Sequence, residues 1–255
     1  MRRAIAAGEF ELYYQPVVNL EQNDVTSVEA LVRWRHPTKG LILPRAFISV
    51  AEETGLILPL GEWVLRAACA AAAKWPHPVK ISVNLSAVQL RAPGFVQMVT
   101  ETLANSGLTS DRLELEVTET AFLDDSEATL ATLYELRALG VRVAIDDFGT
   151  GYSSLSYLQS FPFDTIKIDR SFIRDIDRDT TSLIIVRAVA ALAAGLGIST
   201  TAEGVETEQQ FSAIRSEGCT NMQGFLFCEP LPDHDIDLLL SSARTGPKDK
   251  GHAAA

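Results

Sequence analysis

Val143–Leu155 reads VAIDDFGTGYSSL. A short apolar run, Val143–Ile145, ends in two adjacent carboxylates, Asp146 and Asp147. It passes into Phe148-Gly149-Thr150-Gly151 and then three hydroxyls, Tyr152, Ser153 and Ser154. Apolar residues followed by acids and glycines predict a buried strand that stops and hands its acids to a loop. Side-by-side carboxylates repel each other unless a cation sits between them. Asp ahead of Gly is also ordinary turn chemistry. Taken alone, the stretch fits a metal site or a strand-end turn, and the rest of the chain decides.

Working outward, Glu11–Asn19 and Val25–Arg33 predict two strands joined by Glu21-Gln22-Asn23-Asp24, an opening hairpin. Pro44–Glu53 and the alanine-rich Leu60–Lys74 carry helical periodicity. The pattern continues with a strand at Lys80–Asn84, a helix at Phe95–Asn105 closed by Ser106-Gly107, and a strand at Leu113–Val117. A helix at Asp125–Leu139, stopped by Gly140, leads into the strand Arg142–Asp146. Beyond the loop come a strand at Thr165–Ile168, a helix at Thr181–Leu196, a strand at Ser199–Ala202 and a helix at Thr207–Glu217. The pattern ends with a strand at Asn221–Phe227 and a helix from about Pro232 to Leu240. Roughly eight strands alternating with helices predict a closed α/β barrel of the (β/α)8 type rather than an open sheet.

Composition bounds the function. The chain has 255 residues, 47% hydrophobic and 22% charged, which gives ample core for one large domain or two small ones. A net charge of -11 argues against a nucleic-acid polymer as partner, since such surfaces lean basic. An acidic protein that handles a phosphate ester needs arginines, lysines or metal ions at the site itself. The three cysteines, Cys69, Cys219 and Cys228, lack metal-site spacing and read as small buried residues in a reducing, cytoplasmic compartment. The start, MRRAIAAGEF, has no apolar signal core. The most apolar segment, Ser182–Ile198, contains Arg187 and is too short to span a bilayer. Arg2–Ala6 reads as a helix beginning abruptly at Met1, as in a domain excised from a larger protein, although a natural start fits too. Residues 1–241 form the expected domain, and 242–255 read as a flexible polar tail.

One polar residue lies near the end of each predicted strand: Glu29, Asn84, Glu116, Asp146, Lys167, Glu203 and Gln223. After the first they recur about one βα unit apart. In a barrel such positions converge on one mouth, where active sites form. All but Lys167 offer oxygen, which suits a hard cation such as Mg²⁺, Mn²⁺ or Ca²⁺. The four histidines do not cluster with these strand ends, and His36 reads as a loop residue before Pro37. Glu29, Asn84, Glu116, Asp146 and Asp147 supply enough oxygens for two metals sharing Asp146. Arg33, four residues past Glu29 at the end of its predicted strand, fits a phosphate oxygen or a surface ion pair. Lys167, inside the apolar TIKI strand, requires an anion. Glu203 fits a proton acceptor or a helix-entry acid. Glu119 is placed to tie down the Asp147–Ser154 loop.

These residues resemble the EAL domains, bacterial phosphodiesterases of cyclic di-GMP. The naming tripeptide is Glu29-Ala30-Leu31. Around it stand Tyr14-Gln15-Pro16, Asn84-Leu85-Ser86, Glu116-Val117-Thr118-Glu119 and Asp146-Asp147-Phe148-Gly149-Thr150-Gly151. Lys167-Ile168-Asp169, Ala202-Glu203-Gly204-Val205-Glu206 and Gln223-Gly224-Phe225 complete the set. The match runs from about Phe10 to Leu231. The resemblance implies a modified barrel whose first strand is antiparallel to the others. It implies two Mg²⁺ or Mn²⁺ held by Glu29, Asn84, Glu116, Asp146 and Asp147, with Ca²⁺ expected to inhibit. Lys167 would contact the catalytic water and Glu203 would be the base. Gln223 would help fix the water or metal shell and, with Arg33, Gln15 and Leu31, contact substrate. Glu119 would anchor the loop from Asp147 to Ser154, which in the family is linked to a dimer interface and to upstream sensory or GGDEF-type domains. The implied reaction converts cyclic di-GMP to linear 5′-pGpG, which in bacteria favours motility over biofilm. A non-catalytic cyclic di-GMP receptor and an unrelated metal-dependent barrel with a lysine base are the competing readings.

Overall fold

The structure is a computed structural model and describes residues 1–75, 79–122, 126–150, 158–159 and 161–242. A short helix α1 (Arg2–Ala6) leads into strand β1 (Phe10–Asn19), which turns back as β2 (Val25–His36). The turn is tied by Asn19, whose side-chain oxygen accepts from the amides of Glu21 and Gln22, with Asn23 in the left-handed region at φ 56°. β3 (Gly40–Ile42) folds back on the end of β2, and α2 (Ile48–Glu53) and α3 (Ile57–Ala72) follow. The chain continues through β4 (Lys80–Leu85), α4 (Ala87–Leu90), α5 (Phe95–Ser106), β5 (Leu113–Thr118), α6 (Ser126–Ala138) and β6 (Arg142–Phe148). Then come β7 (Thr165–Ile168), α7 (Arg170–Ile173), α8 (Thr180–Leu196), β8 (Ser199–Glu203), α9 (Glu208–Ser216), β9 (Asn221–Gln223), β10 (Leu231–Pro232) and α10 (Asp233–Ser242).

Strands β2, β4, β5, β6, β7, β8 and β9 pair in parallel, each with the next. β1 closes the ring by pairing antiparallel to both β2 and β9. The result is an eight-stranded barrel with its first strand reversed, with β3 and β10 as accessory strands. Strands β5, β6 and β7 are buried along most of their length, as parallel strands covered on both faces require. All four residues of TIKI are buried, for example. Helix α3 shows how the outer layer docks. Leu60, Val64, Leu65, Ala68 and Ala72 recur at helical spacing and form its buried stripe. Each fully buried Leu or Val contributes about 1.5–3 kcal/mol.

Several expected boundaries move, each for a physical reason. Pro44–Glu53 is not one helix: a 3₁₀ turn at Pro44–Ala46 ends at Phe47, whose φ of -141° leaves helical space before α2. β2 continues past Arg33 to His36, so Arg33 lies within the strand, opposite Glu11, rather than at its end. β6 extends past Asp146 to Phe148 across a bulge. The last barrel strand stops at Gln223 instead of Phe227, because Gly224 meets the backbone of Val205. The amide of Val205 donates to Gln223 O at 3.1 Å and that of Leu226 to Val205 O at 3.0 Å. A Cβ at residue 224 would overlap Val205 N and O. Asp125, the expected start of α6, and residues 243–255 of the expected tail lie outside the described residues.

Gly224→Ala therefore forces a local backbone shift. Urea unfolding should show a loss of about 1–3 kcal/mol, while a control Gly8→Ala, with open space around it, loses only the cost of its positive φ.

Candidate metal-dependent active site

The mouth of the barrel is organised around Lys167, which projects from β7 and is 3% exposed. Its Nζ lies 2.6 Å from Glu116 Oε2 on β5 and 2.7 Å from Glu203 Oε1 on β8. Glu29 Oε2 on β2 and Asp146 Oδ1 on β6 are each 3.4 Å away. Amides complete the ring. Asn84 Nδ2 donates to Glu29 Oε1 at 2.6 Å, and Gln223 Nε2 donates to Glu29 Oε2 at 2.6 Å and to Gln15 Oε1 at 3.1 Å. Gln15 faces Glu29 across the antiparallel pair and donates in turn to Cys228 O at 3.2 Å. All seven residues read along the strands thus meet at one end of the barrel. Glu29 departs from the strand-end pattern only because β2 runs on beyond it.

Successive side chains of a regular strand point to opposite faces. Asp146 and Asp147 escape this rule. The ladder between β6 and β7 shifts register between Ile145 and Phe148, and Asp147 adopts φ 53°. The irregularity turns both acids toward the mouth, where ligand oxygens of Asp146, Asp147 and Glu203 lie within 4.8 Å of one another. At an effective dielectric of ~20, each such pair of charges repels by about 3 kcal/mol.

The proton affinities follow from this crowding. Burial, reinforced by Asp146 and Glu29 against the pull of Lys167, pushes the Glu203 carboxyl up to about 8. Burial and the neighbouring Glu29 also hold Glu116 well above the usual carboxylate range. Burial and then Asp146 and Asp169 raise Asp147. For Glu29 burial is outweighed by Lys167 and by the bonds from Gln223 and Asn84, so it stays low. Burial alone would lower Lys167, but its ring of acids keeps it well above its usual value. One ammonium is too little positive charge for this many acids. Asp146 Oδ1 and Gln223 Oε1 are moreover buried without a hydrogen bond. An oxygen-only donor set with excess negative charge and unused lone pairs fits a hard divalent cation.

The remaining expected residues are placed as follows. Arg33 is buried with its guanidinium carbon 5.5 Å from the Tyr13 ring centroid, and it makes no ion pair among the described residues. Burial lowers its pKa, opposed by Tyr13 and Glu29. The surface ion pair is thereby excluded for it. Leu31 lines a cavity of about 720 Å³ that also reaches Glu29, Asn84, Asp147 and Glu203. Glu119 begins a 3₁₀ turn after β5, and its Oε2 accepts from the amide of Gly149 at 3.4 Å. The hydroxyls of Tyr152, Ser153 and Ser154 lie outside the described residues.

Asp169 lines the same cavity, caps α7 through Ser171 N at 2.9 Å, and raises Asp147. No role was assigned to it from sequence, although its position two residues after Lys167 and its N-cap chemistry were visible. Glu52 and Gln89 also line the cavity. They come from helices, where a strand-end search does not look.

Fold and site together define a (β/α)8-type barrel with an acidic, oxygen-lined mouth that fits a hard cation. The family model described as EAL domain matches residues 1–230, and the chain belongs to that family. It is 54% identical over 242 residues to protein y4lL of Sinorhizobium fredii, covering 95% of this chain and 29% of that protein. It is 44% identical over 248 residues to the cyclic di-GMP phosphodiesterase NbdA of Pseudomonas aeruginosa, covering 96% of this chain and 32% of that protein. Among solved structures, the PaMucR phosphodiesterase in complex with c-di-GMP superposes with a TM-score of 0.89 at 44% identity, covering 92% of this chain and 97% of that one. The chain spans about a third of the length of the curated relatives it matches. None of the described helices is long and apolar enough to cross a membrane.

The raised carboxylates carry a stability signature. A group whose folded pKa exceeds its unfolded value stabilises the fold below the unfolded pKa, and that stability is lost as pH rises through the folded pKa. For Glu203 the window runs from 4.5 to about 8. In chelator, Tm should fall across this range. Mg²⁺ should raise Tm more at pH 8 than at pH 5, and an Mg²⁺ shift that is equal at both pH values contradicts the excess of charge.

Proposed function

We propose that this domain hydrolyses one phosphodiester of cyclic di-GMP to linear 5′-pGpG with the help of two divalent cations, Mg²⁺ or Mn²⁺. The observation that carries the reading is the buried ring of acids around Lys167 at the mouth of an EAL-family barrel. The cyclic dinucleotide bound in the PaMucR structure supports the substrate. Glu29, Asn84, Glu116, Asp146 and Asp147 would hold the cations, which when bound would offset the phosphate charge and acidify water.

The chain's own groups supply the rest. Glu203 takes a proton from the attacking water as a new O–P bond forms and the bond from phosphorus to the 3′ oxygen breaks. The leaving oxygen is protonated from solvent. Lys167, 2.7 Å from Glu203, fixes that carboxylate and contacts the water. Gln223 holds Glu29 in place and, with Gln15, borders the substrate. Arg33, buried without an acidic partner among the described residues, meets a phosphate oxygen, and Leu31 forms part of the wall. Glu119 anchors the start of the loop after β6 through Gly149.

The wider proposal is a cytoplasmic domain comprising residues 1–241 of a longer protein. A sensory or GGDEF-type domain would lie upstream, and a homodimer would form through the Asp147–Ser154 region. Relatives about three times longer than the match support the first part. Residues 151–157 of the dimer region lie outside the described residues. Lowering the messenger would favour motility over biofilm.

Incubation with cyclic di-GMP and Mg²⁺, followed by separation of products, should give linear 5′-pGpG. Glu203→Gln should lower kcat by about 10²–10⁴-fold. Replacing Mg²⁺ with Ca²⁺ should suppress turnover, because its looser coordination misplaces the reacting groups. Binding without any linear product would instead establish the receptor reading, and full activity of Glu203→Gln would remove the base assignment.

A further inference from the structure

Where the cavity meets α2 and α3 its wall is apolar, formed by Leu31, Ile48, Ile57, Leu60 and Val64. Two polar side chains interrupt it: Glu52, near the end of α2, and Gln89, in α4. Both are held by Ser86, two residues beyond Asn84. Ser86 Oγ donates to Glu52 Oε1 at 2.6 Å, and Ser86 N donates to Gln89 Oε1 at 3.2 Å. Each bond uses one atom and leaves another. Glu52 Oε2 accepts no hydrogen bond and Gln89 Nε2 donates none among the described residues. Gln89 is nonetheless only 4% exposed, because its amide lies on the α3 backbone at Gly61, where a Cβ would overlap it. The cavity wall therefore carries a carboxylate and an amide among apolar side chains, each tied on one side by Ser86 to the strand that carries Asn84.

A flat, mostly apolar heterocycle with two adjacent N–H donors beside a carbonyl is the complement of this arrangement. Resting on the cyclic di-GMP reading above, we propose that Glu52 and Gln89 select one guanine of the substrate. The carboxylate accepts from N1–H and the N2 amino group, and the amide donates to O6. Adenine at the same place would set its N1 lone pair against the carboxylate. A site built to bond a polar group discriminates strongly against analogues that lack it, since its own buried groups are left unpaired.

The test compares kcat/KM for cyclic di-GMP, for its inosine analogue, which lacks the N2 amino group, and for cyclic di-AMP. All three are measured on one preparation of the intact chain, so the folded fraction cancels in each ratio. The wild type should prefer the guanosine substrate to the inosine analogue by about tenfold or more, and should reject cyclic di-AMP more strongly. Glu52→Ala should bring the guanosine-to-inosine ratio to within about twofold of one. Glu52→Gln, which can still accept from Ser86, should lower the ratio without the loss of that tie. An undiminished ratio in both variants, or a wild-type ratio near one, overturns the assignment. The same ratios taken from dissociation constants separate the two levels of failure. A chain that binds through Glu52 with guanine preference but does not turn over contradicts only the catalytic reading. A chain that binds none of the three contradicts both.

Discussion

The ammonium of Lys167 sits within 3.4 Å of four carboxylates drawn from four different strands. A single cation of that kind, buried at the end of a barrel, sets two conditions on everything around it. The acids are needed to keep Lys167 charged, because burial alone would strip its proton. Yet the acids outnumber it, so burial and like charge hold Glu116 above the usual carboxylate range and push Glu203 up to about 8. This imbalance is costly for a fold on its own, and it is relieved by added positive charge. The imbalance suits a cation taken from solution, on which the proposed anionic substrate would rest.

The barrel supplies the geometry that makes the crowding possible. Parallel strands bring Glu116, Asp146, Lys167, Glu203 and Gln223 to one rim from chain positions more than a hundred residues apart. The reversed first strand adds Gln15 directly opposite Glu29, so that Cys228 O, Gln15, Gln223 and Glu29 form one continuous line of hydrogen bonds. The bulge at Asp146–Asp147 is the local departure from regular structure that places two consecutive acids on one face. Strain of this kind, φ 53° at a non-glycine residue, is commonly stored where function requires it.

Much of this was legible in the sequence, and the limits are instructive. The strand order and the converging polar residues followed from a period of apolar runs, each ending near one polar side chain. The reversed strand did not: hairpin chemistry at Asn19–Asp24 shows that β1 and β2 are antiparallel, but not that β1 also closes on β9, which came from family resemblance. The last strand was expected to run on to Phe227, because Phe225–Phe227 look like strand residues; the contact between Gly224 and the Val205 backbone, remote in sequence, overrides that propensity. The extension of β6 to Phe148 was hidden for a related reason. Asp-Asp-Phe-Gly reads as a turn, and only pairing with Ile168 keeps Phe148 in the sheet. Glu52 and Gln89 were invisible because a helical acid and a helical amide look like solvated surface until the cavity is seen.

The claim on which the account rests is that these oxygens take up divalent ions at the barrel mouth. Anomalous diffraction from crystals of this chain equilibrated with Mn²⁺ at neutral pH tests it directly. The account predicts two peaks about 3.5–4 Å apart, bordered by Glu29, Asp146, Asp147 and Glu203. No anomalous density at the mouth under saturating Mn²⁺, with Lys167 alone bridging the acids, would contradict it.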